Sequence, residues 1–236
     1  MSIADNLERV REQIAQAARA ASRNPDEITL VGVTKYVGPS AARELLQAGC
    51  NHLGESRPQE LWSKHSQIAA GELASASGGT PTHPIHWHLI GHLQRNKLRR
   101  TLPLVSLIHS VDSERLLAAI NAERTAQATQ NQQLPPIRIL LEVNTSGETA
   151  KHGLAPDAVE SLLAAAERFP HVEVCGLMTM AAREGGLDVA AKNFATLREL
   201  ADRFELKERS MGMSGDFDVA IREGATILRI GTALWE

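Results

Sequence analysis

Two cysteines in 236 residues, Cys50 and Cys175, are too few for a secreted disulfide framework. Both lie in apolar stretches, where a free thiol behaves as a small core residue, so a reducing, cytoplasmic setting is expected. Charge excess is missing too. With 25 Lys+Arg against 28 Asp+Glu the formal net charge is -3, and without a clustered basic surplus neither nucleic acid nor an anionic membrane is an expected partner. No uncharged apolar run reaches membrane-spanning length. The first turns carry Asp5, Glu8, Arg9, Arg11 and Glu12, which no signal-peptide apolar region contains. No apolar run is followed by G-x-G-x-x-G, so an open dinucleotide-binding sheet has no anchor. There is a single tyrosine, Tyr36. What these absences leave is a chain whose partner is a small molecule.

The length suits one α/β barrel, residues 1–236 as a single domain, with enough chain to bury a full core. Ile3, Leu7, Val10, Ile14 and Ala18 recur at steps of three and four behind a Ser2-x-x-Asp5 start, which reads as a capped amphipathic helix. Apolar runs then alternate with helical stretches. Strands are expected near residues 28–34, 51–53, 86–90, 105–109, 137–144, 172–177, 209–211 and 227–230, with helices between them, which predicts a closed parallel (β/α)8 TIM-like barrel with an additional N-terminal helix. Residues 71–84, rich in Gly, Ser and Thr, read as one flexible insertion.

In such a barrel the chemistry gathers where the strands end, because the loops leaving them share one rim. The residues expected around that opening are Lys35, Gly54-Glu55-Ser56, His88 with Gly91, Ser110 and Asp112, Asn144-Thr145-Ser146, Met178-Thr179-Met180, Ser214-Gly215-Asp216 and Arg229 through Thr232. Lys35 closes the run Ile-Thr-Leu-Val-Gly-Val-Thr. Burial there would favour the uncharged amine that Schiff-base chemistry needs; a solvated lysine clear of the rim is the alternative. Ser214-Gly215-Asp216 and Gly231-Thr232 offer backbone N–H groups and hydroxyls to a phosphate, against the simpler reading that Ser214 or Asp216 caps a helix. Arg229, inside an apolar strand ending, must have a partner. That partner is either a ring nitrogen or a buried carboxylate such as Glu142 or Glu55.

A set of ordered motifs spans nearly the whole chain: Ile28-Thr-Leu-Val-Gly-Val-Thr-Lys35, Gly54-Glu55, Trp87-His88-Leu-Ile-Gly91-His-Leu-Gln94-x-Asn96-Lys97, His109-Ser110-Val-Asp112, Glu142-Val-Asn144, Lys151-x-Gly153, Gly176-Leu-Met178, Met211-Gly-Met-Ser214-x-Asp216-Phe-x-x-Ala-Ile221 and Leu228-Arg-Ile-Gly-Thr232. In these the sequence resembles the family of pyridoxal phosphate homeostasis proteins, whose fold is similar to the barrel domain of alanine racemase. The resemblance implies that pyridoxal 5'-phosphate (PLP) is the cofactor and that Lys35 holds it as a Schiff base. It also implies that Ser214, Gly231 and Thr232 take the phosphate, that Arg229 faces the pyridine nitrogen, and that Ser56 and Met178 lie near the ring. A cation beside that nitrogen disfavours its protonation and weakens the ring as an electron sink. The family usually has asparagine where this chain has Ser56, and it often ends Thr-x-x-Phe-Gly where this chain has Trp235-Glu236.

Racemisation generally needs an acid/base on each face of the substrate. In alanine racemase the second base is a tyrosine from an additional domain, no counterpart of which is expected here, and strand alternation would point Tyr36 away from the site. The expected function is therefore PLP handling in vitamin B6 homeostasis without turnover, with a PLP-dependent racemase-like enzyme and a cofactor-free barrel aldolase as alternatives. A monomer with transient contacts to PLP-accepting enzymes is expected. His83, His86, His88 and His92 cluster in sequence, yet no carboxylate or cysteine joins them at a zinc-like spacing, so no metal is expected. Trp87, on the opposite strand face from His86 and His88, is expected in the core or against a helix. Arg95, Lys97, Arg99 and Arg100 form a basic run whose default is a solvated helix face.

Overall fold

The computed structural model describes residues 2–70, 84–130, 134–148 and 151–236. His83 and residues 71–83 of the expected insertion lie outside the described residues. Eight parallel strands close into a barrel in sequence order: β1 (Thr29–Val33), β2 (His52–Glu55), β3 (His86–Leu89), β4 (Val105–Val111), β5 (Ile137–Glu142), β6 (Val172–Met178), β7 (Glu208–Ser210) and β8 (Ile227–Ile230). Closure is made by β1 against β8, with Thr29, Leu30, Val31 and Gly32 opposite Ile227, Leu228, Arg229 and Ile230. All eight expected strands are present. The expected start of β7 is one residue late because its ladder begins at Glu208, opposite Gly176, a polar residue that hydrophobic periodicity discounts.

Helices α2 (Pro39–Gln47), α3 (Pro58–Ala69), α4 (Leu98–Thr101), α5 (Glu114–Gln130), α6 (Val159–Ala166), α7 (Gly186–Arg203) and α8 (Phe217–Arg222) follow their strands, and α1 (Ile3–Ala20) precedes β1. The capping box is formed: Asp5 N–H donates to Ser2 Oγ at 3.1 Å and Ser2 N–H to Asp5 Oδ2 at 2.9 Å, satisfying donors the helix start leaves free. The apolar stripe of α1 buries Leu7, Val10, Ile14 and Ala18 and packs against α2, α8 and the short α9 (Thr232–Trp235).

Strand alternation sorts the side chains. Outward residues such as Leu53, Trp87, Leu89, Ile108, Ile139, Leu177 and Leu228 enter the main core beneath the helices, so Trp87 faces as expected. Inside the barrel a smaller cluster of Val31, Leu107, Leu140, Met178 and Ile227 forms the apolar filling. The remaining interior is polar. Among the described residues, no helix is long and apolar enough to cross a membrane.

Candidate functional site

A cavity of about 530 Å3 opens where β1, β2, β7 and β8 end, lined by Val33, Lys35, Tyr36, Ser56, Ile90, Met180, Ser214, Arg229, Gly231, Thr232 and Trp235. Five of the expected site residues after β1, β2, β7 and β8, together with Arg229 inside β8, therefore line one space. Gly215 and Met180 of the expected rim line it as well, whereas the residues after β4 and β5 do not. Ser110 Oγ instead donates to the Gly91 carbonyl at 2.6 Å, Thr145 Oγ1 pairs with Thr179 Oγ1 at 2.9 Å, and Asn144 donates to the Glu148 carbonyl at 2.8 Å. The first two tie neighbouring strand ends together and the third ties down its own loop. Met178 lies in the interior cluster and does not line the cavity; Met180, two residues on, does.

Lys35 is exposed at the cavity mouth, which corrects the expected burial. β1 ends at Val33, so the chain has already left the barrel wall when it reaches Lys35. The same geometry corrects Tyr36: alternation holds within a strand, whereas Tyr36 sits in the turn beyond it, 87% exposed and lining the mouth. Lys35 Nζ stands 5.0 Å from the centre of its ring.

What is buried lies immediately behind Lys35. Thr34 and Glu55 are wholly buried and Lys64 nearly so. Lys64 donates to the Thr34 carbonyl at 2.7 Å and to Glu55 Oε1, and Thr34 Oγ1 donates to Glu55 Oε1 at 2.8 Å. Glu55 Oε2 accepts the Ser56 N–H at 3.2 Å. One ion pair thus fixes the peptide that leads into Lys35 and the backbone of Ser56. Sequence reasoning passed over Lys64, although it sits three residues after Leu61 and four before Ile68 on the buried face of α3, where a lysine breaks the apolar stripe. Gly91 completes this wall: a Cβ there would come within 2.3 Å of the Ser56 carbonyl oxygen.

The loop after β7 turns at Gly212, whose φ of 95° favours glycine, and whose carbonyl accepts the Arg229 N–H at 3.0 Å. Ser214 does not cap α8. Its Oγ accepts the N–H groups of Gly231 and Ala233, both at 3.3 Å, while Asp216 Oδ1 accepts the Met213 N–H at 2.6 Å. Two backbone donors and a hydroxyl therefore meet at one edge of the cavity, with Thr232 exposed beside them. Ala233 was not among the expected residues. Trp235 donates from Nε1 to the Val33 carbonyl at 2.9 Å, which stitches α9 to the end of β1.

Arg229 is buried, and neither expected carboxylate bonds it. It donates to Ser210 Oγ at 2.6 Å and to the Thr179 carbonyl at 2.9 Å, both neutral oxygens. Burial lowers it to about 10, opposed by the fields of Asp216 and Glu142, so it remains a cation at neutral pH. Burial raises Glu142 above the usual carboxylate range, with Asp112 adding to the shift.

The histidines divide. His88 enters the barrel interior, bonding His52 and His109, and His86 stacks on His52 with centroids 4.6 Å apart. His92 stacks instead on His152, 5.6 Å away. Of the basic run, Lys97 and Arg100 flank the Trp62 ring at 5.7 and 4.5 Å.

The family model for the alanine racemase N-terminal domain matches residues 5–236. A pyridoxal phosphate homeostasis protein of Pseudomonas aeruginosa is 37% identical over 238 residues, covering 99% of this chain and 95% of its own. One from Aquifex aeolicus is 36% identical, covering 100% and 98%. Among solved structures, PipY of Synechococcus elongatus with PLP bound superposes with a TM-score of 0.80 at 28% identity, both chains covered fully. Alanine racemase of Clostridium difficile gives 0.70 at 13% identity, with 98% of this chain but 56% of the racemase covered, a likeness of fold.

Proposed function

The chain belongs to the alanine racemase N-terminal domain family and to the pyridoxal phosphate homeostasis proteins, and from that premise we propose that it binds pyridoxal 5'-phosphate for intracellular vitamin B6 homeostasis, held by Lys35 at the mouth of the barrel. One arrangement carries the reading: an accessible lysine, a cluster of phosphate-type donors and a buried cation share one cavity. The donor set fits the group. The Gly231 and Ala233 N–H groups converge on Ser214 Oγ, and with the Ser214 and Thr232 hydroxyls they are the groups that would hold a phosphate.

The cofactor supplies an aldehyde for an amine and a ring that withdraws electrons. Lys35 provides the amine. The clamp of Lys64, Glu55 and Thr34 holds the backbone from which it projects. Arg229, which lines the cavity, would present its cation to the ring nitrogen. A fixed cation there disfavours a proton on that nitrogen, which supports retention without turnover. Ser56 and Met180 line the walls, Met178 supports the barrel interior beneath, and Trp235 forms part of the rim.

Handing on the cofactor fits an open mouth, and we read the chain as a cytoplasmic monomer that meets PLP-accepting enzymes transiently. A racemase-like reading requires a second acid/base. Tyr36 is the tyrosine at the mouth, yet its ring is solvated and nothing described orients its hydroxyl. Incubation with L- and D-amino acids separates the readings, because enantiomer conversion would sink the carrier.

The direct test is the visible spectrum after addition of pyridoxal phosphate. Lys35→Ala is expected to abolish the absorbance of the lysine-bound cofactor with unchanged circular dichroism, since Lys35 is exposed. An unchanged band would refute the assignment.

A further inference from the structure

The cofactor reading leaves a file of polar side chains through the barrel unused, half-buried at His52 and buried from His88 onward. His52 opens β2 at the amino-terminal end of the barrel, and its Nδ1 lies 2.9 Å from His88 Nε2 on β3. His88 Nδ1 is 2.9 Å from His109 Nε2 on β4, and His109 Nδ1 is 2.9 Å from Ser210 Oγ on β7. Ser210 Oγ then accepts Arg229, which lines the cavity. The file crosses the interior from one end of the barrel to the guanidinium at the other.

Its rings are neutral at neutral pH. Burial lowers His88 to about 3 and His109 well below the ordinary value, and lowers His52 as well. A neutral imidazole has one N–H and one acceptor nitrogen, so the file has a direction. Ser210 Oγ already accepts from Arg229, and the acceptor within reach for its own proton is His109 Nδ1. That places the His109 proton on Nε2, donating to His88 Nδ1, and the His88 proton on Nε2, donating to His52 Nδ1. The opposite sense leaves the Ser210 hydroxyl proton with no acceptor among the described residues, a costly arrangement for a buried donor. In the first sense every lone pair points toward Arg229 and every N–H away from it. Aligned dipoles of that sign favour a cation and polarise one another.

We propose that His88, His109 and Ser210 form a column of aligned neutral dipoles that holds the Arg229 guanidinium charged and fixed without a bonded carboxylate, so that its uncancelled charge faces the pyridine ring of the cofactor. Ser210 and His109 are positioning residues. The inference rests on the cofactor reading for its consequence but not for the column itself. A carboxylate bonded to Arg229 would neutralise it and remove its effect on the ring nitrogen; dipoles solvate the cation and leave its net charge in place.

Two arms test this. In the ligand-free protein at neutral pH, nitrogen-15 shifts of the imidazoles are expected to show the Nε2–H tautomer at His88 and His109; an Nδ1–H or doubly protonated ring at either overturns the column. With nitrogen-15-labelled pyridoxal phosphate bound, Ser210→Ala and His109→Leu are expected to move the ring-nitrogen resonance toward its protonated value and to weaken binding roughly tenfold. His109→Gln, whose amide accepts at one end and donates at the other, is expected to restore the resonance. Folded variants with an unmoved resonance, or a His109→Leu shift that His109→Gln fails to reverse, overturn the proposal. If the wild-type protein forms no lysine-bound cofactor, the cofactor reading fails by itself and the ligand-free arm still decides the column.

Discussion

Lys64 is the residue whose removal says most about how the site is held. Its ammonium and the Glu55 carboxylate are both withdrawn from water, and such a pair is costly to break from one side, because the partner is left as an uncompensated buried charge. Lys64→Met is expected to lower unfolding free energy by about 3–5 kcal/mol, read from urea denaturation, and the double variant Lys64→Met, Glu55→Gln to recover part of that loss. A single variant as stable as the wild type would show the clamp to be ornamental. Lys64 also marks the limit of the sequence reading. That Lys35, Ser214, Arg229, Gly231 and Thr232 share one opening was legible because they lie at or after strand ends within ordered motifs, and Ser56, a departure from its motif, was found from its place after β2. Whether a side chain at a strand end is buried was not, since it depends on the residue at which the strand stops. Arg229 was rightly expected to need a partner, but neutral oxygens from β7 and from Thr179, just past β6, fill that role, and no spacing within β8 points to them.

At the scale of elements, α9 is the piece to watch. It is four residues long, too short to be stable alone, yet it places the Gly231 and Ala233 donors. Its support comes from α1: Asn6 donates to the Leu234 carbonyl at 3.2 Å and Arg9 to the Ala233 carbonyl at 2.9 Å. The additional N-terminal helix thus braces, from outside, the edge of the cavity where the Gly231 and Ala233 N–H groups lie. Arg9→Ala removes one such bond and is expected to weaken pyridoxal phosphate binding roughly fivefold with the absorption maximum unmoved, measured by titration. Equal affinity would show that α9 stands without this brace. The eight strands and α1 were legible from periodicity, whereas α9 was not, because its four residues fit no period and their helical turn is held by long-range bonds.

For the molecule as a whole, the polar barrel interior ties stability to acidity. His88 stays neutral in the folded protein down to about 3, against an ordinary value of 6.5, so below 6.5 the unfolded chain binds a proton that the folded one refuses. Stability is fully present above 6.5 and falls as the pH drops from there toward 3. At about pH 5 this histidine alone contributes a loss on the order of 2 kcal/mol. His52 and His109 act in the same sense, while Asp216 and Glu142, raised by burial, oppose it near the carboxylate range. Denaturation at pH 7 and pH 5 is expected to show the loss, and His88→Gln to flatten it; a slope that the variant leaves unchanged would place the acid sensitivity elsewhere.

Tyr36 gives the experimenter something the rest of the molecule withholds. As the chain's single tyrosine, standing 87% exposed on the lip of the cavity, it makes every tyrosine-specific signal a report from one place. Phenol ionisation, nitration followed by mass, or a ring resonance in a spectrum carries no background from the core. The protein is thus supplied with a native sensor of traffic through its mouth, with no label to attach.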